Sequence, residues 1–508
     1  MSRLVANLIL GSGTLGNIYT KNTIMADEVR ALEPKELWNN FSDLNEIPRG
    51  SKKEEKVIGF AKRFGEKLGL DTRVDETGNV IIKKAASPGM ENRAVLALQS
   101  HLDMVHQKNA DTDFDFDTQG IQMFVEGDWV KAKGTTLGAD NGIGVAAIMT
   151  LLASNDIAHP PLEALFTIDE ETGMTGAKGL KGGILDAKVL LNLDTEDDDE
   201  LTIGCAGGID VTAEGNYKEE PLTGNYSSFA LKMKGLTGGH SGMDIHLGRG
   251  NANKLMNRFL TDLEREIGVS VNSIDGGGLR NAIPRESSAI ISIATDGLDM
   301  FHGFVALYNQ VLAVEYAITD TEAQFVVESI TNVDSRLDPA FQSKLLKGIY
   351  ACPSGIYRMS PDIEGLVQTS NNLARVLVKD GQYQLLCLTR SSSNTEKKDE
   401  VNAIRGAFEL MGARVSTAGA YPGWEPKPEA SIVKLMQSLY KKMYQEDAHV
   451  SAIHAGLECG ILGINYPDME MISFGPNIRG AHSPDEKVQI SSVQKFWNYL
   501  LETLKKVD

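Results

Sequence analysis

The chain has 508 residues, 42% of them hydrophobic and 23% charged, with 50 glycines. At roughly 100 to 200 residues per domain this composition predicts two to four domains or subdomains, folded nearly throughout. Its 50 Lys and Arg against 69 Asp and Glu leave a formal charge of −19 with no basic run as a local exception, which excludes nucleic acid and anionic membrane as partners and favours a small molecule or peptide.

The opening MSRLVANLILGSG has an apolar run at the lower limit for a signal peptide and a poor cleavage site, so secretion is not expected. Gly11-Ser-Gly-Thr-Leu-Gly16 matches G-x-G-x-x-G, but Asn17 to Ile24 is a poor helix opening and leads to no strand ending in an acid, which argues against a dinucleotide site. Residues 1–25 are read as an N-terminal extension to which no chemistry is assigned. From 26 to about 207 helical and strand-like segments alternate, the pattern of an α/β domain. Lys35 to Leu68 reads largely as helix, Arg73 to Lys83 as a strand pair, and Asn141 to Leu152 as helix. Ala94 to Gln99, Leu162 to Ile168 and Val189 to Leu193 read as buried strands.

From 208 to 425 the texture changes to α+β: strands at Ser228 to Lys234 and Ala289 to Ile293, an amphipathic helix at Ala252 to Glu266, then a later half repeating the strand-helix theme at Tyr383 to Arg390 and Lys398 to Met411. After the linker-like Tyr421-Pro-Gly-Trp-Glu-Pro426 come a helix (Ser431 to Tyr444), a strand (Glu470 to Phe474) and a terminal helix (Ser491 to Val507). The second domain is therefore expected as an insertion into the first, with 26–207 and 426–508 forming one domain. No stretch approaches the ~18 apolar residues of a membrane span. Four scattered cysteines without a C-x-x-C pair fit reduced, buried thiols in a cytoplasm.

In open α/β sheets ligands bind beyond the carboxyl ends of the strands. There the sequence places His101-Leu-Asp103, Asp169-Glu170-Glu171, Asp194 and a loop holding His482, while Asp140 immediately precedes a helix. Three consecutive acids after an apolar run call for open solvent or a positive partner. Each residue alone has a plainer reading: a strand-end histidine paired to Asp103, Asp140 as a helix cap, the triplet as a solvated turn, Asp194 opening a charged loop. Together they make a ligand set for zinc or a similar transition metal, and a shared carboxylate suits a pair of ions roughly 3.5 to 4 Å apart.

The motifs SHLDMV (100–105), KGTTLGADNGIG (133–144), DEETGM (169–174), CAGGID (205–210), GGHSGMDIHLGRGNANKL (238–255), LRNAIPRE (279–286), GAYPGW (419–424), IHAGLECG (453–460) and GAHSPDE (480–486) resemble the M20 family of metallopeptidases, in its aminoacyl-histidine dipeptidase branch, over nearly everything after residue 30. The resemblance implies a two-domain zinc-peptidase fold, a mixed α/β/α catalytic sheet with an inserted α+β lid at 208–425. It implies two divalent metal ions, zinc first with Mn or Co as alternatives: His101 and Asp194 on one, Glu171 and His482 on the other, Asp140 bridging. Asp103 would orient His101, and Glu170 matches the family's general base. His240 matches the lid histidine, which in dimeric relatives reaches the active site of the neighbouring subunit, and Asn281 and Arg390 match positions gripping the substrate carboxylate or the tetrahedral intermediate. For His240 a turn histidine and for Arg390 a surface salt bridge are the plainer alternatives. The implied activity is hydrolysis of dipeptides, including Xaa-His dipeptides such as β-Ala-His, by a cytoplasmic homodimer joined through the lid. A deacylase of N-acyl amino acids and a non-catalytic metal-dependent binding protein are the competing expectations.

Overall fold

The structure is a computed structural model that describes residues 28–507, so the extension 1–25 with its glycine-rich segment lies outside the described residues. Contacts divide the chain into two compact units. The first runs up to Ile203 and takes in Lys427–Ser451 and the chain from Ile461 on; the second is Gly204–Pro426 with Ala452–Gly460. Residues 452–460, expected from sequence with the flanking 426–508, thus group with the second unit, where Ala206 N donates to Ile453 O and Cys205 Sγ to Leu457 O.

The first unit is built on an eight-stranded sheet whose centre is parallel: Leu162–Thr167, Leu96–His101, Val189–Asn192 and Glu470–Ser473 lie side by side in that order. Leu96–His101 and Leu162–Thr167 are buried at every position, which is why they read as unbroken rather than alternating apolar runs. Val80–Lys84 and Asp71–Val74 extend one edge antiparallel, and Glu200–Cys205 and His449–Ile453 extend the other. Four parallel strands send their carboxyl ends to one edge; three of them run directly into His101, Asp169 and Asp194, and the fourth, Glu470–Ser473, leads into a segment that reaches His482 nine residues on. The helix Ala139–Ala153 is apolar on all sides and buried from Asn141 to Leu152, as a helix inside a core must be.

The single helix expected over Lys35 to Leu68 is two helices, Lys35–Asn45 and Glu55–Lys67. Pro48 between them has no N–H to donate and disfavours helical geometry at Ile47. The break turns Arg49 into the core, where it is fully buried.

The second unit holds the strands β1 (Gly207–Asn216) and β2 (Tyr226–Lys234), helix α1 (Ala252–Glu266), β3 (Ser270–Gly277), β4 (Ser287–Ala294), α2 (Leu298–Glu315), β5 (Gln324–Ile330), α3 (Pro339–Ala351), β6 (Val367–Lys379), β7 (Gln382–Ser391), α4 (Asn394–Leu410) and β8 (Arg414–Tyr421). They form one antiparallel sheet in the order β5-β2-β4-β3-β6-β7-β1-β8, with Gly355–Met359 pairing β6 as a ninth strand. Asn251 caps α1 by accepting the N–H groups of Asn253 and Lys254, and Asp338 caps α3 from just before Pro339. The core packs the apolar faces of the helices on the sheet, with Phe259 of α1 4.5 Å from Phe325 of β5 between ring centroids. All four cysteines are buried and none is in a disulfide.

Candidate active site

His101 closes its strand fully buried. Its Nδ1 lies 3.1 Å from the carbonyl of Asp103 and 3.4 Å from the carboxylate of the same residue, which leaves Nε2 to face Asp140 Oδ1 at 3.2 Å and Asp194 Oδ1 at 3.5 Å. The other oxygen of Asp140, Oδ2, lies 3.1 Å from His482 Nε2, and that nitrogen is 2.9 Å from Glu171 Oε2. One carboxylate therefore divides two groups of donors: His101 with Asp194 at one oxygen, His482 with Glu171 at the other. Donor atoms of His101, Asp140 and Glu171 also converge within 4.8 Å of one another.

Asp140 does not cap its helix. The cap position is Gly138 in the left-handed region, at φ 71°, and the helix opens with non-helical geometry at Asp140 and Asn141. The four N–H groups from Leu137 to Asp140 instead donate to the carboxylate of Glu486, at 2.8, 3.0, 2.7 and 3.3 Å. Arg49 holds the same loop from the other side, donating to Gly138 O at 2.6 Å and to the carbonyls of Leu102 and Asp103 at 3.1 and 3.2 Å. Neither residue stood out in the sequence. The only hint for Glu486 was its place at the end of GAHSPDE.

The acidic triplet divides its labour. Asp169 is buried, and its carboxylate accepts the hydroxyls of Thr172 and Thr175, which makes it a turn-forming residue. Glu171 turns to His482, and its Oε1 is buried without a hydrogen-bond partner. Asp103 fixes the backbone of both glutamates: its Oδ1 accepts Glu170 N at 3.0 Å and its Oδ2 accepts Glu171 N at 3.3 Å.

The electrostatics call for positive charge. Hydrogen bonds to Asp140 and Glu171 push His482 up to about 11, although burial opposes them. Burial alone would lower His101, but Asp194 and the bonds to Asp103 and Asp140 hold it well above its usual range. Burial, reinforced by Asp140 and Glu171, raises Asp194 to about 6. Although burial opposes them, the bonds from the two histidines hold Asp140 below its usual range, so protons favour His101, His482 and Asp194 around an ionised Asp140, which is the behaviour of a carboxylate-rich site that a divalent cation would neutralise. The donors fit such an ion. Ligands about 2.0 to 2.1 Å from a tetrahedral zinc stand about 3.3 Å apart, and the imidazole-to-carboxylate separations here run from 2.9 to 3.5 Å. A buried carboxylate oxygen without a hydrogen-bond partner, as at Glu171 Oε1, is what a metal ligand leaves when only protein atoms are counted.

The remaining candidates lie in the second unit. His240 sits in a short strand pair, opposite Ala282, and its Nδ1 accepts the N–H groups of Gly242 and Met243 at 3.2 and 3.0 Å. Burial and the nearby Arg390 lower its pKa, so it is a neutral imidazole with its proton on Nε2. Arg390 closes in on that nitrogen, with Nη2 3.4 Å away. It is buried and bonded to hydroxyls, Tyr421 at 3.1 Å and Ser241 at 3.4 Å, rather than to a carboxylate, which removes the surface salt-bridge alternative. Asn281 is exposed, and its carbonyl accepts Ser241 N at 2.8 Å. His454, present in the sequence only as part of IHAGLECG and given no role there, packs nearby with Nε2 2.7 Å from Ser370 Oγ. Burial and then Arg390 lower it to about 3.

Residues 97–506 match the model of peptidase family M20/M25/M40. The chain is 41% identical over 480 residues, 94% of its length and 99% of the relative's, to the cytosol non-specific dipeptidase of Escherichia coli K12. It superposes on the crystal structure of aminoacylhistidine dipeptidase from Vibrio alginolyticus with a TM-score of 0.90 at 42% identity, covering 94% of this chain and 98% of that one. A tripeptidase from Staphylococcus aureus shares the fold at a TM-score of 0.54 and 17% identity, over 94% of this chain and 99% of its own. On these matches, spanning nearly all of the chain, it belongs to peptidase family M20/M25/M40.

Proposed function

We propose that the chain is a dinuclear metallodipeptidase that hydrolyses dipeptides with a free amino end, Xaa-His dipeptides such as β-Ala-His among them. The observation that carries this reading is the division of Asp140, with one oxygen toward His101 and Asp194 and the other toward His482 and Glu171. These five residues would hold two ions, zinc first, with Mn or Co suiting the same donors. When bound, the ions supply Lewis acidity and bring the pKa of a water toward about 7. Glu170, its backbone tied to Asp103, accepts the proton of the attacking water and returns it to the leaving amine, serving as base and then acid. Asp103 keeps His101 oriented. Arg390 and Asn281 bind the substrate carboxylate, and neutral His240 donates from Nε2 to the developing negative charge. The names of the two near-full-length relatives support the dipeptide class.

The finer assembly is proposed on the same footing: the first unit as catalytic domain, the second as lid, and a homodimer in the cytoplasm joined through the lid. Met300, Leu307 and Val314, seven residues apart along α2, and Ile318 just beyond it are exposed, and among the described residues β5, at the sheet edge, is paired on one side only. Such a face suits a second copy of the chain. Light scattering that finds only monomer, unchanged by Val314→Asp, would remove the dimer. Among the described residues no helix is long and apolar enough to cross a membrane.

The deciding experiment measures amine release by metal-loaded protein from Ala-His, β-Ala-His, Ala-Ala-His and N-acetyl-His, with Glu170→Ala as control. Cleavage of the two dipeptides alone, lost in the control, is expected. Turnover of only the acetylated compound would make the protein a deacylase. Silence on all four with metal bound would leave a binding protein.

A further inference from the structure

Two of the four cysteines meet in the second unit. Cys352 stands at the end of α3 and Cys387 within β7, and their sulfurs lie 3.9 Å apart, both buried. Contacts on either side hold them there. Lys254 of α1 caps the end of α3, donating from Nζ to the carbonyls of Ile349, Tyr350 and Cys352 at 2.8, 3.0 and 2.8 Å. Asn371 of β6 ties the turn beyond to β7: its Nδ2 donates to Pro353 O at 2.7 Å, and its Oδ1 accepts the hydroxyl of Thr389 at 3.1 Å. Arg280 fixes β7 at Cys387 itself, donating to its carbonyl at 2.7 Å.

The two sulfurs differ in character. Pro353 O, 3.4 Å from Cys352 Sγ, is an acceptor that favours a proton there, and the contact with Cys387, then burial, raise the Cys352 thiol well above its usual range. The same contact, helped by Asn371, Arg280 and Lys254, holds Cys387 below the usual range against its burial. One sulfur is thus the better nucleophile, and its neighbour is placed to resolve what it forms. A disulfide needs its sulfurs at about 2.05 Å, a closure of about 2 Å from the separation here.

We propose that Cys352 and Cys387 are a dithiol modification site, oxidised by hydrogen peroxide to an intramolecular disulfide that ties the end of α3 to the strand carrying Arg390. Cys387 Sγ attacks one peroxide oxygen as thiolate. The O–O bond breaks, the departing hydroxide takes up the proton that Cys387 released and leaves as water, and the sulfur becomes a sulfenic acid. Cys352 Sγ then displaces that hydroxyl, its own proton leaving with it as a second water, and the S–S bond forms. Two electrons pass from the sulfurs to the peroxide. Burial selects the oxidant: Cys352 lies between exposed Ala351 and half-buried Pro353, so local opening of this turn admits a molecule little larger than water and excludes glutathione disulfide. The site stands apart from the metal centre, and its state is read from the thiols rather than from peptide cleavage.

The test exposes the folded, zinc-loaded full chain to hydrogen peroxide, blocks the remaining thiols in denaturant and maps the tryptic peptides by mass. A Cys352–Cys387 peptide pair that dithiothreitol separates is expected, with the count of blockable thiols falling from the four of the chain to two. Cys352→Ser should leave Cys387 as a sulfenic acid that dimedone labels, whereas Cys387→Ser should leave Cys352 unlabelled. Compared with the chain in urea, folding should slow glutathione disulfide roughly tenfold more than it slows peroxide. Recovery of both sulfurs as thiols, or of Cys387 as sulfinic acid with no linked peptide, overturns the proposal. Equal slowing of the two oxidants overturns it as well, because the bond would then form only in the unfolded chain. Should the serine variants fail to fold, the linked peptide and the oxidant comparison in the wild-type chain decide alone.

Discussion

Glu486 grips Asp140 by the backbone: its Oε1 accepts Asp140 N at 3.3 Å and Ala139 N at 2.7 Å, while Oε2 takes Gly138 N and Leu137 N. Burial, with the Asp140 charge, raises its pKa, and the N–H groups of Gly138, Leu137 and Asp140 offset part of that cost. Glu486→Ala would leave buried donors without acceptors, a loss of about 3 kcal/mol or more. Glu486→Gln should fall between, since its amide presents an NH2 to one pair of N–H groups. Thermal melts and bound-metal content check this together. A Glu486→Ala protein with wild-type melting and full metal would show that the loop is held by other means.

Glu170 and Glu171 are neighbours with different tasks, so their substitutions should separate. Glu170→Gln is expected to lower kcat by roughly 10²- to 10⁴-fold with metal content unchanged. Glu171→Gln should instead reduce metal content, because His482 loses its closest carboxylate at 2.9 Å. Equal metal loss in both variants would contradict the division of roles.

Arg390 is the candidate for reading the end of the peptide. Arg390→Ala should depress kcat/KM for a dipeptide by about 2 kcal/mol or more, some 30-fold, while the C-terminal amide of the same dipeptide loses far less. Arg390→Lys should rescue little, as it cannot keep both Tyr421 and Ser241 as partners in one planar fork. Equal losses for acid and amide would remove Arg390 from carboxylate recognition.

Glu400, on α4, is fully buried with neither carboxylate oxygen hydrogen-bonded, and burial pushes its pKa up to about 9. In the unfolded chain it titrates near an ordinary glutamate, so between about pH 4.5 and 9 the unfolded state holds fewer protons. The contribution of this group is therefore complete below about pH 4.5 and is lost as pH rises toward 9. Glu400→Gln should raise stability at pH 7 by about 1 to 3 kcal/mol, with the gain vanishing near pH 5. Urea midpoints at pH 5, 7 and 8.5 test it. A gain independent of pH, or none, would mean that the carboxyl is relieved in another way.

Residues in contact with the sheet edge were legible because chemistry follows directly on a readable strand: His101, Glu171 and Asp194 each trail an apolar run that could only be a buried strand. Arg49 and Glu486 were not, since an arginine after a proline and a glutamate after Ser-Pro-Asp look like surface turns. Their burial depends on partners far along the chain, as in the bond from Gly138 N to Glu486. β6 was missed for the opposite reason. Its Thr-Ser-Asn-Asn stretch looks polar, yet all four residues are buried, and Asn372 Nδ2 donates to the carbonyls of Arg280 and Ala282. α2 hid behind apolar residues on nearly every side, only three of which are buried, so no period stood out.

The place of β1 between β7 and β8 in the sheet orders events at the ribosome. The segment from β2 to β5, ending at Ile330, is contiguous and can close as soon as it emerges, whereas β1, made earlier, has no partner until β7 and β8 are translated. Long-range pairing of this kind is slow and leaves an open strand exposed to other chains. A nascent chain arrested just after α3 should therefore resist protease from β2 to β5 while being cut within β1; protection of β1 at that stage would show that it finds a temporary partner.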